Sequence, residues 1–155
     1  MQLRPYQKEC IEKSIRHLQT TLNSGLIVAA TGAGKSIIIS EIAKEIHRLS
    51  NKKILILAPS SELVKQNREK YLLTGNPASI FSASISKDLK HPVIFGTPQS
   101  VKNSIQKFKD QFALTIIDES HGTTNTIKSI IEELKNNNPM MRIIGLTATP
   151  YRMNT

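Results

Sequence analysis

Tryptophan is absent from the 155 residues, and four phenylalanines with three tyrosines bring the aromatic share only to 5%. So few flat side chains exclude a surface that grips nucleic acid chiefly by base stacking. Cysteine occurs once, at Cys10. That excludes an internal disulfide framework and a cysteine-rich zinc domain, and it fits a reducing compartment. Apolar runs are short: Leu26 to Ala30 and Ile54 to Ala58 are the longest, far below the roughly 20 residues that cross a bilayer. Met1 to Tyr6 carries no apolar stretch, which predicts no signal peptide and a cytoplasmic, intracellular chain without a membrane partner. No repeat of solenoid period, low-complexity tract or Gly/Ser-rich linker divides the sequence, so one domain is expected over residues 1–155. Acidic residues are also scarce, with 12 Asp and Glu against 21 Lys and Arg, a formal charge of +9. Such an excess attracts polyanions. With so few aromatics, any nucleic-acid contact is expected to run through phosphates.

What is present alternates between two periodicities. Pro5 suits the first turn of a helix, and Tyr6 to Leu22 carries Ile11, Ile15, Leu18 and Leu22 at three- and four-residue steps. Leu26 to Ala30 reads as a strand covered on both faces. Helical spacing returns over Ile37 to Leu49, and Lys53 to Ala58 is a second buried strand. Ser60 to Leu72 reads as a helix opened by a serine cap. Strands are expected at Ser79 to Ala83, Pro92 to Gly96, Phe112 to Ile117 and Arg142 to Leu146. Helices are expected at Gln99 to Phe108 and Thr126 to Asn136. Strands alternating with helices imply parallel pairing through right-handed crossovers, hence an α/β fold with a mostly parallel sheet between helices on both faces. In such sheets ligands bind beyond the carboxyl ends of the strands.

Two of those ends carry chemistry. After the first strand stands Ala30-Thr31-Gly32-Ala33-Gly34-Lys35-Ser36, running into a helix. Glycines let backbone N–H groups converge on phosphate oxygens, and the helix N-terminus adds positive potential. Lys35 would reach the β and γ phosphates, and the Ser36 hydroxyl would ligate Mg²⁺. The full phosphate-loop pattern begins with Gly, where this chain has Ala29. Phe112 to Ile117 ends in Asp118-Glu119-Ser120-His121. An acid at the tip of a buried strand is the usual device for holding Mg²⁺ opposite such a loop. Its neighbour Glu119 could orient or deprotonate an attacking water.

Together these residues resemble the first RecA-like domain of a superfamily 2 helicase or translocase, of the DEAD/DEAH-like group with a DExH box. The match runs from Leu3 to Arg152. Leu3-Arg4-Pro5-Tyr6-Gln7 is similar to the group's adenine-recognising opening. Ala-x-Thr-Gly-x-Gly-Lys-Ser, led by Ala29, is the group's own phosphate loop. Asp118-Glu119-Ser120-His121 resembles its Asp-Glu-x-His box, and Leu146-Thr147-Ala148-Thr149-Pro150 its Ser/Thr-Ala-Thr coupling motif. Ala58 to Gln66 stands where the group has Pro-Thr-x-Glu-Leu, with Ser61 in place of the common Arg. Gly96-Thr97-Pro98-Gln99-Ser100 stands where DEAD-box proteins have Thr-Pro-Gly-Arg. The lost Gly-Arg, and His121 in place of Asp, point away from the DEAD-box branch. Leu3-Arg4-Pro5-Tyr6-Gln7 with Leu146-Thr147-Ala148-Thr149-Pro150-Tyr151-Arg152 is more similar to the DNA-handling branches.

The resemblance implies a RecA-like P-loop fold, ATP and Mg²⁺ as cofactors, and Mg-dependent ATP hydrolysis coupled to movement on nucleic acid, DNA or RNA, with DNA favoured. It assigns nucleotide binding to Arg4, Gln7, Thr31, Gly32, Ala33, Gly34, Lys35 and Ser36, and metal binding to Ser36 and Asp118. Catalysis falls to Lys35, Asp118 and Glu119, coupling to His121, Thr147 and Thr149. Nucleic-acid contact falls to Ser60, Ser61, Gln66 and Thr97. It also implies a second RecA-like domain outside this chain as partner, carrying the arginine fingers, so the isolated domain is expected to be nearly inactive. The rival is a nucleotide-dependent nucleic-acid-binding scaffold without motor activity.

Overall fold

A computed structural model describes residues 3–21, 24–28, 34–118 and 124–147. In chain order the elements are α1 (Pro5–Thr20), β1 (Gly25–Val28), α2 (Lys35–Ser50), β2 (Lys53–Leu57), α3 (Ser61–Leu72), β3 (Ser79–Ser82), β4 (Ser86–Lys87) and β5 (Val93–Gly96). There follow α4 (Pro98–Asn103), a 3-10 turn at Ile105–Lys107, β6 (Phe112–Ile117), α5 (Asn125–Asn137) and β7 (Arg142–Thr147). The seven strands form one sheet in the order β1-β7-β6-β2-β5-β3-β4. Each adjacent pair is parallel except β3 with β4. Among the described residues no helix is long and apolar enough to cross a membrane.

Strand β2 shows why the sheet lies between two helical layers. Its side chains alternate: Ile54 and Ile56 join a core with Ile38, Ile42 and Val64, from α2 and α3. Leu55 and Leu57 join the opposite core with Val101, Ile130 and Leu134, from α4 and α5. A strand buried on both faces must be apolar at every position, which is what Lys-Ile-Leu-Ile-Leu supplies after its first residue. Where β2 meets β6 the register shifts between Lys53↔Phe112 and Ile54↔Leu114. The extra residue, Ala113, turns Phe112 to the face opposite Leu114. There Phe112 packs with Phe108, ring centroids 6.2 Å apart, and Phe108 meets Phe81 edge-on at 5.0 Å.

That aromatic cluster explains one departure from expectation. The helix expected over Gln99 to Phe108 stops at Asn103, because Ser104 leaves helical geometry (φ −123°, ψ 28°) and a 3-10 turn follows. A helix this short gains little from its own hydrogen bonds, so the packing of Phe108 between Phe81 and Phe112 decides the path. Lys102 of α4 is half-buried and donates from Nζ to Ser129 Oγ on α5. Strand β4 was not expected: two exposed polar residues carry no periodic signal, and pairing with β3 alone defines them. Helix α1 ends at Thr20, two residues short of expectation, and Leu22 lies outside the described residues.

Candidate nucleotide site and nucleic-acid rim

The topology sorts the site residues. Parallel pairing sends the carboxyl ends of six strands to one edge of the sheet. β1, β7 and β6 lie side by side there, and β2, β5 and β3 continue the row. The phosphate-loop and coupling segments therefore follow one half of the row, and the segments after β2, β3 and β5 follow the other. Thr31, Gly32, Ala33, Glu119, His121 and Thr149 lie outside the described residues.

Gly34 opens α2 in the left-handed conformation, φ 80° and ψ 35°. A Cβ placed on it would sit 2.2 Å from Gln7 Nε2. Glycine is thus required there by backbone geometry and by the close approach of Gln7. Gln7 is 3% exposed, and its Oε1 accepts from the Arg4 N–H at 2.8 Å across the first turn of α1. The opening segment is therefore packed against Gly34 through Gln7.

Lys35 and Ser36 occupy the first turn of α2, which carries no acidic residue. Asp118 directly follows β6, and its N–H donates to Leu57 O at 2.8 Å. Lys35 Nζ stands 3.1 Å from Asp118 Oδ1. The other carboxylate oxygen, Oδ2, accepts from Asn67 Nδ2 at 2.9 Å, and Asn67 Oδ1 accepts from Ser36 Oγ at 2.7 Å. Four residues from α2, α3 and β6 thus form one connected polar cluster in an otherwise apolar layer.

Asn67 was missed in the sequence. Val64, Asn67 and Tyr71 fall at three- and four-residue steps on the buried face of α3, so a polar residue within that apolar stripe was the available signal. Its neighbour Gln66 points to the exposed side. Thr147 ends β7, fully buried, and pairs with Val28 of β1. Cys10 is half-buried on α1, and burial pushes its thiol up from the usual range, the opposite of what a nucleophile needs.

The rest of the rim is joined by hydroxyls. Ser60 caps α3 and accepts from the Leu63 N–H at 3.2 Å. Ser61 Oγ lies 2.7 Å from Ser82 Oγ and 2.6 Å from Ser84 Oγ. Thr97 Oγ1 donates to Ser100 Oγ at 2.9 Å, and Ser100 Oγ accepts from the Ala83 N–H at 2.9 Å. The segments after β2, β3 and β5 are tied to one another in this way, bringing Ser61 and Thr97 to a common rim. Ser82 and Ser84 were not singled out in the sequence, where nothing distinguishes them from other serines.

Asp118 also bears on whether Mg²⁺ suits the site. Among the described residues its buried Oδ1 has no hydrogen-bond donor in proper geometry, only the ion pair with Lys35. A hard divalent cation favours such a carboxylate oxygen together with a hydroxyl, so Asp118 and Ser36 fit it.

The family described as "Type III restriction enzyme, res subunit" matches residues 1–152. The chain belongs to this family. It is a superfamily 2 helicase ATPase domain with a RecA-like fold. It is 30% identical over 155 residues to the type I restriction enzyme EcoAI endonuclease subunit of Escherichia coli, covering 95% of this chain and 19% of that protein. It is 30% identical over 140 residues to the ATP-dependent DNA helicase uvsW of Enterobacteria phage T4, covering 84% of this chain and 27% of that protein. The crystal structure of the T4 UvsW helicase superposes with a TM-score of 0.78 at 26% identity, over 96% of this chain and 53% of that one. The helicase domain of Pyrococcus furiosus Hef gives 0.77 at 26% identity, over 96% of this chain and 33% of that one. The chain thus spans well under a third of the length of the two relatives, uvsW and the EcoAI subunit.

Proposed function

We propose that residues 1–155 are the first RecA-like domain of a longer motor protein that hydrolyses ATP with Mg²⁺ and moves on nucleic acid, DNA rather than RNA. The observation that carries this reading is the cluster of Lys35, Ser36, Asn67 and Asp118 at the carboxyl edge of the sheet. Lys35 holds the β and γ phosphates, assisted by backbone N–H groups of Gly32 to Gly34 and the α2 N-terminus. Gln7, packed on Gly34, lies at the site's edge, where its amide recognises adenine. Ser36 and Asp118 hold Mg²⁺, which when bound supplies charge neutralisation on the phosphate oxygens. Glu119 orients the attacking water, and His121, Thr147 and Thr149 connect the phosphate state to the nucleic-acid grip.

Ser60, Ser61, Gln66 and Thr97 form that grip. Ser61 and Thr97 share the rim described above, and the +9 charge favours a polyanion. DNA is favoured because the T4 relative is named a DNA helicase and the E. coli relative a restriction endonuclease subunit. A second RecA-like domain of the same protein completes the site with an arginine. Calorimetric titration of ATP with and without Mg²⁺ tests the reading at its base. Affinity in the micromolar range that depends on Mg²⁺ is the expected result, and no binding would overturn it.

A further inference from the structure

We propose that Asn67 is a positioning residue that sets the hydroxyl of Ser36 and the carboxylate of Asp118 for one shared cation. The inference rests on the nucleotide-site reading above and adds a residue to it. Asn67 is 1% exposed, on the face of α3 that packs against α2, and its amide spans both groups at once: Nδ2 to Asp118 Oδ2 at 2.9 Å, and Oδ1 from Ser36 Oγ at 2.7 Å.

The polarity of the bridge follows from donor and acceptor chemistry. An ionised carboxylate only accepts, so the amide NH₂ must face Asp118. The amide oxygen is then turned to Ser36 and only accepts, so Ser36 must donate its single O–H to it. With its proton committed to Asn67, the Ser36 oxygen keeps its lone pairs for a cation. With Oδ2 taken by Asn67, Asp118 offers Oδ1. Among the described residues that oxygen has no hydrogen-bond donor in proper geometry and is met only by the Lys35 ion pair at 3.1 Å, a contact that an arriving cation would replace. One buried amide therefore decides which atom of each partner is available. A hydroxyl free to rotate, or a carboxylate free to turn, would present the cation with a mixture of donors and lone pairs.

Three segments also meet at this amide, and it is the only one of the four cluster residues carried by α3. The arrangement makes the cation site depend on how α3 packs against α2 and β6.

The test measures ADP affinity by calorimetry with Mg²⁺ and with EDTA, for the parent chain, Asn67→Ala, Ser36→Ala and the double variant. In Asn67→Ala the Mg²⁺-dependent gain in affinity should fall about tenfold, the size expected for a lost charge-assisted hydrogen bond. Affinity in EDTA should stay within about twofold. Because the residue acts through Ser36, the double variant should lose clearly less than the product of the single losses. Mn²⁺ in place of Mg²⁺ gives a second readout, since its paramagnetic resonance spectrum in the ADP complex should change in Asn67→Ala. Should Asn67→Ala fail to fold, Asn67→Leu fills a similar volume with no polar atom, and should give a loss of the same kind. A fall shared equally by the Mg²⁺ and EDTA arms, or fully multiplicative losses, would reduce Asn67 to a packing residue and overturn the proposal. A parent chain with no Mg²⁺-dependent binding would overturn the nucleotide-site reading itself, a result distinct from either.

Discussion

Lys35 and Asp118 are 83 positions apart in sequence, yet their charges meet at 3.1 Å, with Asp118 almost wholly buried and Lys35 only slightly exposed. Without nucleotide, each offsets the cost of burying the other. Phosphates arriving at Lys35 and a cation arriving at Asp118 would part the pair while giving each charge a new partner.

Removing one member should therefore act twice. Lys35→Ala should weaken Mg-ATP binding tenfold or more, the loss of a charge-assisted contact. It should also destabilise the fold by about 3 kcal/mol, because it strands a buried carboxylate. Adding Asp118→Asn to Lys35→Ala should return part of the stability and none of the affinity. Urea denaturation beside calorimetry separates the two effects, and a double variant no more stable than Lys35→Ala would show that the pair carries no coupling.

Gly34→Ala should be poorly tolerated for two reasons that can be separated. The left-handed backbone costs a non-glycine residue roughly 1–2 kcal/mol, and the new Cβ would meet Gln7 Nε2. Placing Gly34→Ala in a Gln7→Ala background should remove the collision and leave the backbone cost, so the second loss is the smaller. Displacing Gln7 in either way should also erase a preference of ATP over GTP in competition experiments. Equal binding of the two nucleotides by the parent chain would reduce Gln7 to a cap of α1.

Contact with nucleic acid should be independent of sequence and fall steeply with salt, because phosphates are the expected partners. Fluorescence anisotropy on unrelated DNA sequences over a salt series measures this. Ser61→Asp, which sets a negative charge beside Ser82 and Ser84, should weaken binding on the order of tenfold. An unchanged affinity would remove that rim from the interface.

Stability should decline in alkali through Tyr71, whose burial raises its phenol above the usual value near 10. The folded state then holds its proton to higher pH than the unfolded state does. The contribution is intact below about pH 10, and is lost as pH rises from there through the folded value. Tyr71→Phe, keeping the packing on Phe95 at 5.8 Å, should flatten that decline in thermal melts between about pH 9 and 11. A slope identical to the parent's would clear Tyr71 of the effect.

Hydrolysis by residues 1–155 alone should be very slow and barely stimulated by DNA. In other phosphoryl-transfer proteins a supplied arginine is worth about 10³–10⁵ in rate. Steady-state ATPase assays on residues 1–155, with and without DNA, would show it. Brisk DNA-stimulated turnover would place a charge-supplying arginine within residues 1–155, with Arg4, Arg142 and Arg152 the first to substitute. Arg142 already has partners, donating to Leu18 O at 3.0 Å and Met140 O at 2.6 Å.

The sequence by itself determined the alternation of strands and helices, because burial on two faces forces continuous apolar runs such as Ile54 to Leu57, and burial on one face forces the spacing of Ile11 and Leu18. It also marked Lys35, Ser36 and Asp118, because phosphate and cation chemistry need those groups directly after strands, at positions a linear reading reaches. Only the tertiary structure decided the strand order, which sets the end of β6 close enough to α2 for Lys35 and Asp118 to pair. The same holds for Asn67, whose role depends on two partners 31 and 51 positions away, and for Gln7 lying against Gly34. The broken helix after Asn103 and the two-residue β4 were equally hidden, since each is set by what it packs or pairs with. Local periodicity reports which face of a segment is buried, but not which distant side chain will be found there.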